Sequence, residues 1–137
     1  MSVAPLILFD TIDSTNAEAR RRAETGEAGP VWLVARRQTQ GRGQVARFAG
    51  PGATLLMTTR MPPAEAAQVS FVAALAVANL LDAFARPAAV SLKWPNDVLL
   101  DGRKASGILI ESVPRALGGL WLAVGIGVNL AHAPDET

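Results

Sequence analysis

This sequence predicts an α/β domain of the α+β kind: a mixed, largely antiparallel sheet with two helices packed against it. Three observations carry that expectation. Strand-length apolar runs crowd the second half of the chain and are joined by turns too short for a crossover helix, which makes their pairing antiparallel. A long alanine-rich segment in the middle repeats apolar residues at helical spacing. Near the start, a strand-like run is followed at once by a helix-capping pattern.

Leu6-Ile7-Leu8-Phe9 is the first strand. Asp13-Ser14-Thr15-Asn16 follows, and Thr15 with Glu18 fits a capping box opening a helix that ends near Gly26. Val31 to Ala35 reads as a buried strand. From Arg37 to Gly52 periodicity stops and glycines recur at Gly41, Gly43, Gly50 and Gly52, which predicts a long loop of the functional or disordered sort. Ala53 to Thr59 is a strand, and Met61-Pro62-Pro63 punctuates it. A helix is expected from Ala64 to Ala85, with Val77, Leu80, Leu81 and Phe84 on one face. Val90 to Lys93 and Val98 to Leu100 are short strands around Trp94-Pro95-Asn96-Asp97, and Asp101-Gly102 is a hairpin signal. Ser106 to Val113 and Leu120 to Leu130 are two further strands, joined at Gly118-Gly119.

Composition narrows the function. The chain has 137 residues, half of them hydrophobic, enough for one domain with one core and incompatible with disordered or fibrous classes. A net charge of +1 is too small to imply a nucleic-acid footprint, which would need a basic face or stripe. Arg20-Arg21-Arg22 lies among Glu18 and Glu24 and reads as a solvated helix face. With no cysteine and only His132, disulfides, thiolate nucleophiles and histidine metal clusters are excluded. No charged leader precedes an apolar run. Val69 to Ala85 is interrupted by Ser70, Asn79 and Asp82, so it reads as a buried helix rather than a membrane span, and a soluble cytoplasmic protein is expected.

Four segments carry chemistry: Asp13 to Asn16; Gln38-Thr39-Gln40-Gly41-Arg42-Gly43; Lys93 to Glu111; and Gly125-Ile126-Gly127-Val128-Asn129. Thirteen residues are cationic, yet only Lys93 and Lys104 are lysine, and they bracket Trp94-Pro95-Asn96-Asp97. Arginine is a permanently charged fork, whereas lysine is a compact charge that touches one oxygen at a time. Each segment also has a plain structural explanation: two clustered surface lysines, a helix start at Ser14 and Thr15, and glycines that relieve crowding within a strand. As a set they are coherent. Gly41 and Gly43 let backbone N–H groups reach an anion, and Arg42 can grip a carboxylate or phosphate with two hydrogen bonds. Lysines can neutralise charge on transferring oxygens, and Asp97 can hold a cation or accept a proton. Ser14, Thr15 and Gln38 suit a polar, uncharged ligand group. The set describes a site for a carboxylate, a nucleotide and Mg²⁺, without the Walker spacing.

In this order, Asp-Ser-Thr-Asn, Gln-x-x-Gly-Arg-Gly, Lys-Trp-Pro-Asn-Asp with Arg-Lys-x-x-Gly-Ile-Leu-x-Glu, and Gly-x-Gly-x-Asn resemble the catalytic domain of the biotin–protein ligases across nearly the whole chain. The resemblance implies a fold like the class II aminoacyl-tRNA synthetases and biotin synthetases. It also implies a two-step reaction: biotin and ATP form biotinyl-5′-adenylate, and biotin then passes to a lysine of a biotin carboxyl carrier protein. By position, Ser14, Thr15, Gln38 and Gly41 would meet biotin, with Gly107, Gly125 and Gly127 lining its pocket. Arg42 and Lys104 would meet the biotin carboxylate and the α-phosphate. Gly43, Arg47, Phe48, Lys93, Asn96, Asp97 and Asn129 would face ATP, with Asp97 also a Mg²⁺ ligand and a candidate base. Arg42, Lys104 and Asp97 would thus be the catalytic set. Family members often pair as homodimers.

The pattern departs from the family in two places. Gln44-Val45-Ala46 replaces basic or polar positions after Gly43, and Gln44 cannot supply an arginine's charge, so this loop is expected to hold the adenylate less firmly. The family's domain runs further than this chain, and neither a C-terminal barrel nor an N-terminal DNA-binding domain is expected from these residues. The competing expectations are a lipoate–protein ligase or transferase, against which the chain lacks an Arg-Arg-x-x-Gly-Gly-Gly stretch, and a biotin-binding module that does not activate its ligand.

Overall fold

Alternating apolar side chains build a sheet whose two faces are claimed by different helices. The computed structural model describes residues 4–40, 51–84, 90–93, 97–116 and 118–128. Along it run β1 (Leu6–Ile12), α1 (Thr15–Glu24), β2 (Val31–Gln38), β3 (Gly52–Thr59), α2 (Pro63–Ala66), α3 (Val69–Phe84), β4 (Val90–Lys93), β5 (Asp97–Leu100), β6 (Arg103–Pro114) and β7 (Leu120–Val128). The strands form one sheet in the order β1-β2-β3-β7-β6-β5-β4. Among the described residues only the β1–β2 pair is parallel, with α1 as its crossover, and every other pairing is antiparallel. The mixed, largely antiparallel expectation is met.

Successive strand residues point to opposite faces, and the core divides accordingly. Leu56 and Ala123 pair across β3 and β7 and pack with Val31 and Leu33 beneath Ala19 and Ala23 of α1. Their neighbours Leu55 and Val124 pair one step along and pack with Val98 and Ile108 beneath Ala73, Ala74, Val77 and Leu81 of α3. The two helices therefore lie on opposite faces. Four of the six helical residues at these contacts, Ala19, Ala23, Ala73 and Ala74, are alanines buried to 8% exposure or less, which lets the helix backbones approach the strands closely.

Several local readings change. The helix expected from Ala64 to Ala85 is two helices, because the chain turns at Ala67–Gln68, where Gln68 N donates to Glu65 O at 3.0 Å. Leu80, expected on the buried face, is 56% exposed. The stripe that meets the sheet is centred on Ala73, Ala74, Val77 and Leu81, and at about 100° per residue Leu80 falls beside it. The side chain of Phe84 lies outside the described residues. The stretch Pro63–Ala83 is long and apolar enough by length and composition to cross a membrane, yet its inner stripe is spent on the sheet. The N-cap of α1 is Ser14, whose Oγ accepts from Ala17 N at 3.1 Å, rather than Thr15. Glu18 is engaged instead by Arg21 and Arg22, each at 2.9 Å. Asp101-Gly102 forms its hairpin with φ of 50° and 82°, the paired positive values of a type I′ turn.

The basic run on α1 is a solvated, acid-paired face, as composition suggested. Arg21 holds both carboxylate oxygens of Asp13, at 2.8 and 2.9 Å. This Arg21 hydrogen bonding lowers the Asp13 pKa from 3.8 to about 2, against the opposing effect of burial. A folded-state pKa below the unfolded one stabilises above the unfolded value and is lost as pH falls. Asp13 is 35% and Arg21 50% exposed, so screening reduces the pair to about 0.5–1 kcal/mol. The unfolding free energy from urea denaturation should therefore fall between pH 4 and pH 2 by up to that amount more in this protein than in Asp13→Asn, and 1 M NaCl should shrink the difference.

Candidate functional site

One straight row across the sheet organises the candidate residues. Lys93 pairs with Asp97, Asp97 with Gly107, Gly107 with Gly127, Gly127 with Gly52, and Gly52 with Ala35, crossing β4, β5, β6, β7, β3 and β2. Directly paired residues share a face, here the face of α1, since Leu33, two residues before Ala35, packs beneath that helix. Gly107, Gly127 and Gly52 are adjacent and carry no side chain. At the usual strand spacing they make a lane of glycines about 10 Å long, overlain at Gly52 by the Gln38 amide and at Gly107 by the Lys104 stem.

One end of the lane is polar and uncharged. Gln38 closes β2 and lays its amide over Gly52, where a methyl group would collide with it. Its Oε1 accepts from Thr15 N at 2.9 Å and lies 3.1 Å from Thr15 Oγ1. Ser14, Thr15 and Gln38 are 2%, 3% and 5% exposed; Thr15 and Gln38 meet at the start of α1, while the Ser14 hydroxyl is taken by its cap on Ala17 N.

The opposite end is charged. Asp97 is 7% exposed, and Lys104 Nζ stands 3.3 Å from its Oδ1. Simple alternation would put Lys104 on the opposite face from Gly107, three residues away. The ladder slips instead: Asp97 pairs with Gly107 and Val98 with Ser106, but Leu99 pairs with Lys104. Ala105 is the extra residue and joins the α3-side core, so Lys104 rotates onto the site face. Its stem then crosses Gly107, where an added Cβ would stand 3.1 Å from Cε and 3.2 Å from Nζ. Gly107 thus seats the lysine flat beside the carboxylate.

Gly125 has a different neighbour. The Asn16 amide fills the space where its Cβ would be. Asn16 Oδ1 accepts from Thr54 Oγ1 at 2.6 Å, while Nδ2 donates to Glu111 Oε1 at 3.0 Å and reaches Leu109 O at 3.5 Å. Thr54 Oγ1 is also 2.8 Å from Thr15 Oγ1. One α1 side chain is therefore tied to β3 and β6 across the top of β7. Thr54 had no role in the sequence reading, Gly52 was read as the end of a loop rather than the start of β3, and Asn16 and Glu111 were only motif members. A sequence signal did exist, since Thr54 and Glu111 interrupt apolar strands at the in-facing parity of their own ladders.

Gly41, Arg42, Gly43, Gln44, Arg47, Phe48, Asn96 and Asn129 lie outside the described residues. Lys93 is exposed at the edge strand, paired in register with Asp97. Among the described residues no group of three His, Cys, Asp or Glu side chains gathers to hold a metal.

Comparison with known proteins shows which family and fold this chain resembles. A family model for the biotin/lipoate A/B protein ligase family matches residues 8–130. A biotin–[acetyl-CoA-carboxylase] ligase of Paracoccus denitrificans is 49% identical over 132 residues, covering 90% of this chain and 53% of the relative. The crystal structure of a biotin protein ligase from Leishmania major in complex with biotin matches with a TM-score of 0.74 and 27% identity, over 94% of this chain and 57% of that one. The biotin protein ligase from Aquifex aeolicus in complex with biotin and ATP matches with a TM-score of 0.63 and 33% identity, over 95% of this chain and 55% of that one. The chain spans about half the length of the curated relatives it matches.

Proposed function

Because this chain belongs to the biotin/lipoate A/B protein ligase family, we propose that it serves an ATP-dependent biotin–protein ligase, activating biotin as biotinyl-5′-adenylate and passing it to a lysine of a biotin carboxyl carrier protein. The observation that carries this reading is the lane itself, polar and neutral at Thr15 and Gln38, charged at Lys104 and Asp97. A bicyclic ureido head with a carboxylate tail has that polarity, and the named relatives are biotin ligases.

In this scheme biotin lies over Gly127, with its ring at the Gln38 amide that covers Gly52 and its carboxylate towards the Lys104 stem that covers Gly107. A carboxylate oxygen attacks the α-phosphorus of ATP, the bond to the β-phosphate oxygen breaks, and pyrophosphate leaves. Lys104 offsets negative charge moving between carboxylate and phosphate, and its single-point charge leaves room for the in-line approach. In the second step the carrier lysine attacks the acyl carbon and AMP departs with the electron pair of the broken C–O bond. Asp97 is the group that takes the amine proton. Magnesium fits this end through one carboxylate, since Mg²⁺ commonly takes one or two carboxylates and completes its shell from phosphates and water.

Titration calorimetry of biotin into the protein, with and without ATP and Mg²⁺, tests the proposal, with pyrophosphate read from the same cell. Biotin binding with pyrophosphate release is expected. Binding without release would reduce the chain to a biotin-binding module, and preference for lipoate would transfer it to the other branch of the family.

A further inference from the structure

At the end of the sheet remote from the glycine row, a cleft of about 540 Å³ opens between the last residues of β3 and the β6–β7 hairpin, lined by Thr58, Thr59, Arg60, Arg115, Gly118 and Gly119. Thr58 pairs with Trp121, six residues along β7 from Gly127, which puts the cleft roughly 20 Å from that row. Among the described residues lining it there is no carboxylate and no large apolar side chain. The three arginines of α1 all pair with acids. Neither Arg60 nor Arg115 has a carboxylate within ion-pair distance among the described residues.

Two features organise the cleft. Arg115 Cζ stands over Trp121, 5.9 Å from the ring centroid, and the ring is itself held by Nε1 donating to Glu27 O at 3.1 Å. A guanidinium resting on an indole keeps its in-plane N–H donors available at its edge. The hairpin also presses onto the end of β3: a Cβ on Gly119, whose φ is 80°, would collide with Thr59 O. That close approach brings both arginines to one cleft. Thr59 Oγ1 accepts from Met61 N at 3.1 Å, so its own proton is left to donate.

We propose that this cleft is an anion site separate from the lane, in which Arg60 and Arg115 grip a phosphate dianion, free or as the head group of a phosphomonoester, with the Thr59 hydroxyl as a third donor. Two forks and a hydroxyl match the three terminal oxygens of a phosphate better than the two of a carboxylate. A dianion also offsets both cations, where a monoanion would leave one uncompensated. The site does not depend on the biotin reading, and the two stand or fall separately.

The test titrates inorganic phosphate and glycerol phosphate, separately, into the full chain at low ionic strength and about pH 8, where both are dianions. Binding is followed by NMR at the Trp121 indole N–H, identified by its loss in Trp121→Phe. A dissociation constant on the order of 1 mM is expected, weakened by added salt. Arg60→Gln and Arg115→Gln should each raise it at least about 10-fold, the size of one charge-assisted hydrogen bond. Arg60→Gln is the decisive variant, because the cation resting on the indole is Arg115 and a loss there is not an effect of uncovering the ring. Lys104→Ala should leave the affinity within about 2-fold, as a distant site does. An affinity unchanged in Arg60→Gln overturns the proposal, as does the absence of any shift up to about 20 mM ligand. Loss of the shift in Lys104→Ala would move the phosphate to the lane and overturn it equally. With the arginine dependence in place, an ester binding more than about 5-fold tighter than phosphate identifies head-group recognition, and equal affinities identify the free ion.

Discussion

Pyrophosphate release should fall by about 100- to 1,000-fold in Lys104→Ala, the usual loss when a single group stabilising transition-state charge is removed. Biotin affinity should change by less than about 10-fold, because the ring end of the lane, at Thr15 and Gln38, lies three strands away from the lysine. The split between the two readings locates Lys104 at the reacting end. Lys104→Arg is the sharper comparison. The lysine stem lies directly over Gly107, with an imagined Cβ already within 3.2 Å of its ammonium nitrogen, and its charge stands 3.3 Å from Asp97. A planar guanidinium would pair with both Asp97 oxygens and project further into the lane. Lys104→Arg should accordingly recover less than about a tenth of the lost rate although it keeps the charge. Recovery to near the original rate would show that charge alone is required and would remove the steric argument for lysine. Because Asp97 is buried, Lys104→Ala leaves it without its cation and should also lower stability by about 1–3 kcal/mol, so rates belong well below the unfolding temperature.

The second large effect is on folding. Gly125→Ala should destabilise the protein by about 2–4 kcal/mol, combining overpacking with broken buried hydrogen bonds. A Cβ there meets the Asn16 amide, which is held by Thr54, Glu111 and Leu109 and cannot swing aside. Gly107→Ala should cost much less, since its new methyl meets the far end of a flexible lysine. Urea denaturation of the two variants would show the contrast as a large midpoint shift in the first and a small one in the second. Equal shifts would mean that Asn16 moves as freely as Lys104 and that the cross-sheet tie is weak.

Much of this molecule was readable in its residues because the physics involved is local. Alternation and turn chemistry place β3, β5, β6 and β7 within a few residues, and Asp101-Gly102 adopts the positive φ values its side chains allow. The ordered motifs also singled out Thr15, Gln38, Asp97, Lys104 and Gly107, which the fold brings to one face. Misreadings arose where a nonlocal surface decides. A 3.6-residue period fixes which residues share a helix face, but only the sheet beneath α3 determines which stripe is buried, and Leu80 lost that competition to Ala73 and Ala74. Thr15 was read as a cap because the capping pattern is local, yet its hydroxyl is used by Gln38 and Thr54, 23 and 39 residues away.

By itself, then, the sequence determined the elements, the antiparallel character of the second half and the residue types of the site. Tertiary structure alone decided their arrangement in space. Register aligned Gly52, Gly127 and Gly107 into one lane, because cross-strand pairing is settled by the packing of both faces at once. A slip of one residue at Ala105 turned Lys104 from the α3 side to the side of Asp97, and no periodicity in the chain marks it, since a bulge changes the facing of everything beyond it without altering composition or spacing.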